Sequence, residues 1–284
     1  MTAVETPMPA VPPANPEPPT TTALCGAASR RLKGIVDGPV RSAMVRAAFP
    51  SAVYLDTGKG VVAVVAVDGL RLPISVIVAA TSSTGPFGRV LPGDPAAVGG
   101  GRVCAGDLEV TIGRWWTPQR PPALVRPEHL PARAARLARI LRARRRILSD
   151  SVAGGLSRLG SSLRGRRQFG SVPASLVGLG EGLTPSGDDV LAGVLLALRY
   201  LGRPSCADAL WASIAEQVPR RTTALSATLL ASAAEGDAVP QVIELLAALA
   251  GHRPLEPALD RLLAVGSTSG SDIAHGLLAG ATGP

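Results

Sequence analysis

Aromatic residues are scarce in this chain of 284 residues: 3 Phe, 3 Trp and 2 Tyr. So few rings leave little material for the stacking platforms that single-stranded nucleic-acid sites set beside their cations. The core must be built from Leu, Val and Ala instead. Cysteine is equally rare. Cys25, Cys104 and Cys206 are odd in number and show no CxxC spacing, which argues against a zinc site and a disulfide framework and predicts three buried free thiols in a reducing compartment. No run of about 18 uninterrupted apolar residues occurs, so no membrane span is expected. No basic segment followed by an apolar core stands at the start, so a cytoplasmic protein is expected.

What is present is apolar, small and basic. Hydrophobic residues make up 46% of the chain and the formal net charge is +8. That charge suits an anionic small substrate as well as a nucleic acid. Residues 1–23 are rich in Pro and Thr and are expected to form a disordered tail. Residues 24–53 are helix-like in part. A β-branched run then fills 61–67, Asp68-Gly69 is a hairpin signal, and 70–79 reads as a second strand with Pro73 at an edge or bulge. Further short strands are expected at 85–91 and 107–112. Five prolines between 118 and 131 mark a crossing, and 132–148 is strongly helical. The expected fold class is α+β, with a small antiparallel barrel or sheet in a β-rich domain over 24–125 and an all-helical domain over 126–284. On the first of these helices Arg133, Arg136, Arg139 and Arg142 recur every three residues, and Arg144 to Arg146 extend the stripe. It reads either as a phosphate- or RNA-binding face or as the solvated side of an amphipathic helix.

The helical part is organised around Gly178-Leu179-Gly180-Glu181-Gly182-Leu183-Thr184-Pro185-Ser186-Gly187-Asp188-Asp189, followed by an apolar helix. Thr184 suits an N-cap and Pro185 the first helical position. Asp188 and Asp189 fall in the first turn, near the positive end of the helix dipole. The pattern returns as Ser269-Gly270-Ser271-Asp272-Ile273-Ala274-His275-Gly276, so that both copies read Ser-Gly-x-Asp-apolar-x-x-Gly. Two helix starts facing one shared site, with Asp189 and Asp272 in equivalent places, is the expectation. A glycine loop entering a helix start is an anion site, in which Gly180, Gly182, Thr184, Ser186, Gly187, Asp188, Ser269 and Gly270 are the candidate binding residues. Both helices read equally as capped core helices with Gly for packing. Between the copies lies Arg221-Thr222-Thr223-Ala224-Leu225-Ser226, where Arg221 and Thr222 could clamp a carboxylate or phosphate. Ser186 is not in a Gly-x-Ser-x-Gly elbow, and no Lys follows the glycines as in a Walker loop.

These three blocks, taken in order, resemble the family that includes the AllH-type subunit of oxamate carbamoyltransferase, from anaerobic allantoin breakdown. The resemblance covers about residues 40–284 and is strongest after Ser171. It implies a subunit of a heteromeric enzyme that moves a carbamoyl group between oxamate and phosphate. Small anions of this kind need N–H groups, hydroxyls and guanidinium, and direct transfer needs no covalent nucleophile. In that scheme Asp189 and Asp272 orient the attacking nitrogen or hold Mg²⁺ against phosphate, and His275 is a candidate acid or base. The alternatives are a non-catalytic binding or scaffolding subunit for a small anionic metabolite, and a nucleic-acid binder through the Arg133–Arg146 stripe.

Overall fold

The computed structural model describes residues 22–165 and 169–282. The Pro-rich tail, apart from its last two residues, and Arg166 and Arg167 lie outside them. Eight strands come first: β1 (Thr22–Ser29), β2 (Arg41–Phe49), β3 (Ala52–Asp56), β4 (Val61–Ala66), β5 (Ser75–Val78), β6 (Pro95–Gly99), β7 (Arg102–Ala105) and β8 (Leu108–Trp116). They close into a barrel in the order β1-β5-β4-β3-β2-β6-β7-β8. A barrel over 22–116 is larger than the small unit expected, and it is not purely antiparallel: β1 runs parallel to β8 and β4 parallel to β5. The Asp68-Gly69 turn is therefore no hairpin. It opens a crossover that returns the chain in the same direction, and only Ser75–Val78 becomes strand.

Two further expectations change. The segment 24–53 is dominated by β1 and β2, with one short helix α1 (Lys33–Val36) between them. Residues 85–91 form turns rather than a strand. Cys25 is exposed and Cys104 and Cys206 are half-buried, all three free, so the thiols are not core residues. The valine run behaves as its β-branched composition requires. Every residue of β4 is buried, because one face lines the barrel and the other meets the helical part of the chain.

The helical part comprises α2 (Leu130–Ala143), α3 (Asp150–Arg164), α4 (Val172–Leu176), α5 (Ser186–Tyr200), α6 (Pro204–Ala212), α7 (Val218–Arg221), α8 (Ala224–Ala234), α9 (Pro240–Leu249), α10 (Leu255–Leu263) and α11 (Ser269–Ala281). One hydrophobic cluster runs unbroken from the barrel into α9, α10 and α11. Polar ties reinforce the junction: Val61 N–H donates to Thr228 Oγ1 on α8 (3.0 Å), and Arg31 pairs with both Glu235 and Asp237 at 2.6 Å. No helix among the described residues is long and apolar enough to cross a membrane. The arginine stripe of α2 is in good part internal bracing. Arg136 pairs with Glu256 (2.6 Å), Arg144 with Asp260, and Arg133 donates to the carbonyls of Val125 and Leu249.

Helices α5 and α11 pack side by side and parallel, with their starts together. The contact is backbone to backbone. A Cβ on Gly193 would overlap the carbonyl oxygen of Ile273, and one on Gly276 that of Val190. These pairs are equivalent in the two sequence copies, so the helices are related by an approximate two-fold axis. The equivalence reaches beyond the motif. Gly187 packs on the carbonyl of Leu176 and Gly270 on that of Leu262, and the N–H groups of Gly187 and Gly270 donate to Leu179 (2.8 Å) and Val265 (3.0 Å). The unit is thus helix, turn, loop, helix, used twice.

Over-packing a tight contact typically costs about 1–3 kcal/mol. Gly193→Val and Gly276→Val are each expected to lower stability by at least that much, measured as a fall in urea midpoint. Gly34→Ala, where an added Cβ meets nothing within 4 Å, should leave the midpoint nearly unchanged.

Candidate active site

The starts of α5 and α11 and the loop 178–185 converge on a group of carboxyls and hydroxyls. The position before α5 is held by Pro185, with φ −55° and ψ 142° and no side-chain cap. Thr184, expected as the cap, instead turns its hydroxyl across the two-fold to Ser269 Oγ at 3.0 Å. Asp189 and Asp272 are 7% and 5% exposed, and Oδ2 of each has no hydrogen-bond partner. Burial raises the Asp189 carboxyl to about 7, against the opposing pull of the Ser269 and Thr184 hydroxyls and with a further push from the Asp272 charge. Burial likewise raises Asp272, while the hydroxyls of Ser186 and Thr268 pull it down. The copies therefore exchange partners: Ser269 of the second faces Asp189 of the first, and Ser186 of the first faces Asp272 of the second.

Asp188 has a different job from its neighbour. At 2% exposure it accepts from Gly178 N–H (2.9 Å), Ser226 Oγ (2.7 Å) and Thr222 Oγ1. Two oxygens with three donors leave it holding the loop. Gly178 has φ +72°, and a Cβ there would overlap the Arg221 carbonyl oxygen, so a side chain is excluded on both counts. Through these contacts the Arg221-Thr222 block braces the glycine loop. The Arg221 side chain is exposed, with Gln217 Oε1 at 3.4 Å. Gly180 and Gly182 stand in the exposed part of the loop, both with positive φ. His275 points to the turn after α2, its Nε2 2.7 Å from the Arg146 carbonyl.

Asp189, Thr184 and Ser269 line one wall of a cavity of about 490 Å³ between the helices and the barrel. Sequence patterns did not reveal it, because its opposite wall comes from Phe49, Tyr54 and Leu72, far away in the chain. No Lys, Arg or His is among its lining residues; the charged ones are Asp189 and Asp237. Asp237 is already neutralised by Arg31 at 2.6 Å. Among the described residues no three His, Cys, Asp or Glu side chains gather to hold a metal. Asp189 and Asp272 alone would supply a Mg²⁺ with two carboxylates.

Geometry thus defines an α+β protein with a buried carboxyl pair where two repeated helix starts meet. Residues 176–281, from the end of α4 to the end of α11, match the family described as oxamate carbamoyltransferase subunit AllH. The matched segment contains both Ser-Gly-x-Asp copies and the Arg221-Thr222 block, and the barrel lies outside it. No solved structure matches the chain.

A carboxyl protonated more readily when folded than when unfolded stabilises the fold at low pH and loses that contribution as pH rises to its folded value. Between about pH 4 and 7 Asp189 should therefore make stability fall with pH, by up to about 1.4 kcal/mol per unit. Asp189→Asn is expected to be more stable than the parent at pH 8 and to flatten that slope, read from urea midpoints at pH 5 and 8. Equal slopes in the two proteins would show that Asp189 is an ordinary carboxylate.

Proposed function

We propose that this chain is a subunit of an oxamate carbamoyltransferase-like complex, and that Asp189, with Asp272, is its proton-handling centre. The observation that carries the reading is the Asp189 carboxyl, raised to about 7 by burial and lining the cavity at the joint start of α5 and α11. It lies inside the segment that matches the family.

Transfer of a carbamoyl group from phosphate to the oxamate nitrogen forms a C–N bond, breaks a C–O bond and releases one proton from nitrogen. A general base works best with a pKa close to the operating pH, which is what burial gives Asp189. Thr184 and Ser269 fix its orientation, and Asp272 keeps its affinity for the proton high. Asp188, Gly178 and Thr222 hold the loop in place. Peptide N–H groups of the exposed glycine loop at Gly180 and Gly182, with the Ser186 hydroxyl, face the remaining polar part of the substrate. The phosphate group needs cations, and a dianion is costly to bury without them. With none lining the cavity, the cation comes from outside it: from Arg221 at the edge of the loop, or from a partner subunit covering that edge. His275 has no part in this scheme, because its ring is directed to the Arg146 carbonyl.

A second reading, a binding or scaffolding subunit without chemistry, draws on the same lack of cations. The two part in the reconstituted complex supplied with carbamoyl phosphate and oxamate. Asp189→Asn is expected to lower kcat by about a hundredfold or more. The parent's rate should rise with pH through about 7, since the deprotonated carboxyl is the base. Turnover unaffected by Asp189→Asn would leave the scaffolding reading standing and remove the catalytic one.

A further inference from the structure

The cavity beneath Asp189 is larger and more apolar than oxamate or carbamoyl phosphate requires. Its walls are chiefly aliphatic, with Leu72, Leu196, Leu225 and Val242 among them. Phe49 and Tyr54 pack edge to face at its barrel side, ring centres 6.1 Å apart. Phe49 and Leu183 remain 46% and 38% exposed at its rim, so the apolar lining continues outward to solvent. A volume of about 490 Å³ falls in the range of ordinary small-molecule sites, which run from about 300 to 1,000 Å³. Such sites pair an apolar body with a few placed polar groups. Here the placed group is the carboxyl of Asp189, a residue 93% removed from solvent that lines the cavity. A carboxyl in an apolar wall with no cation beside it favours a ligand that brings N–H donors.

We propose that this cavity binds a small organic molecule with an apolar body and an N–H donor head, a carboxamide or an amine, whose head meets the Asp189 carboxyl. Anions are disfavoured on two grounds. No cation lines the cavity, and the N–H groups of Gly187 and Gly270, which a helix-start anion site would use, already donate to Leu179 and Val265. The hydroxyls of Thr184 and Ser269 stand beside the head and set its direction. The proposal shares Asp189 with the transfer reaction but needs neither the reaction nor the partner subunits.

The test is calorimetric binding of four probes to the full chain alone at pH 7: hexanamide, hexylamine, hexanoate and oxamate. Hexanamide or hexylamine is expected to bind at least tenfold tighter than hexanoate and oxamate. Asp189→Leu should weaken the preferred probe at least tenfold. Leu70→Trp, which fills the cavity from its loop wall, should abolish binding while leaving circular dichroism and the urea midpoint close to the parent's. The pH separates the two heads: hexylamine binding should strengthen as Asp189 ionises above about 7, and hexanamide binding should not. The proposal is overturned if hexanoate or oxamate binds as tightly as the amide and the amine, if none of the four binds, or if both variants bind as the parent does. Amide or amine binding by a chain whose reconstituted complex transfers no carbamoyl group would uphold the cavity's assignment and refute the reaction.

Discussion

Two parallel helices whose backbones touch set the geometry of everything else. Parallel helices with adjacent starts bring two positive dipole ends together, an arrangement that repels itself. Antiparallel packing would cancel the dipoles. The chain keeps the parallel arrangement by removing side chains at Gly193 and Gly276, so that dispersion contacts act at the shortest range. It then places an acid in each first turn, Asp189 and Asp272, where negative charge is favoured. The carboxyl pair is therefore a consequence of the helix pair before it is a site. Burial next opposes the dipoles and wins at Asp189, since desolvation is the largest influence on its pKa.

The approximate two-fold gives the pair its precision. Each carboxyl is attended by a serine from the other copy, so neither half is polar-satisfied without its mate. The difference between the copies lies in the connecting loop. Seven residues separate Leu179 from Gly187, and four separate Val265 from Gly270. The longer loop carries Gly180 and Gly182 to the surface and hangs from Asp188, which has no acidic counterpart: Ser271 stands in its place. That one asymmetry opens a side of an otherwise symmetric arrangement, and the cavity lies beside it, with Leu183 at its rim.

How much of this was legible in the sequence follows from which contacts are local. The repeat was legible because Ser, Gly, Asp and the packing Gly occupy fixed helical spacings in both copies. The helical character after Ser171 and the valine strand were legible from period and branching. Strand β1 was not: its sequence Thr-Ala-Leu-Cys-Gly-Ala-Ala-Ser has small residues because Gly26 lies where Val76 and Val110 close on the barrel interior, each 2.8 Å from where a Cβ would sit. Only the closed barrel imposes that demand. The parallel return to β5 was hidden for a similar reason, since Asp-Gly marks a turn and says nothing of where the chain goes next. The repeat set Asp189 apart by pairing it with Asp272, but it did not show what Asp188 holds. About 100° of helix rotation separates Asp188 from Asp189, enough to send one to Gly178, Thr222 and Ser226 and the other to the cavity.

Hydrogen-bond accounting narrows the expected anion nest at Gly187 and Gly270. A free helix start offers donors to a ligand. Here the closest approach of the chain, at Gly187 and Gly270, directs two of those donors to carbonyls inside the repeat, and the dipoles are left facing the protein's own acids. The potential that would have drawn an anion is consumed in keeping two carboxyls inside the fold. A reaction that uses both an anion and a base at this place must bring its cation from beyond the cavity wall. The exposed glycine loop, held from behind by Asp188 and unobstructed in front, is where a covering subunit would deliver it. Such a division of labour would account for a raised carboxyl in a cavity wall that has no cation beside it.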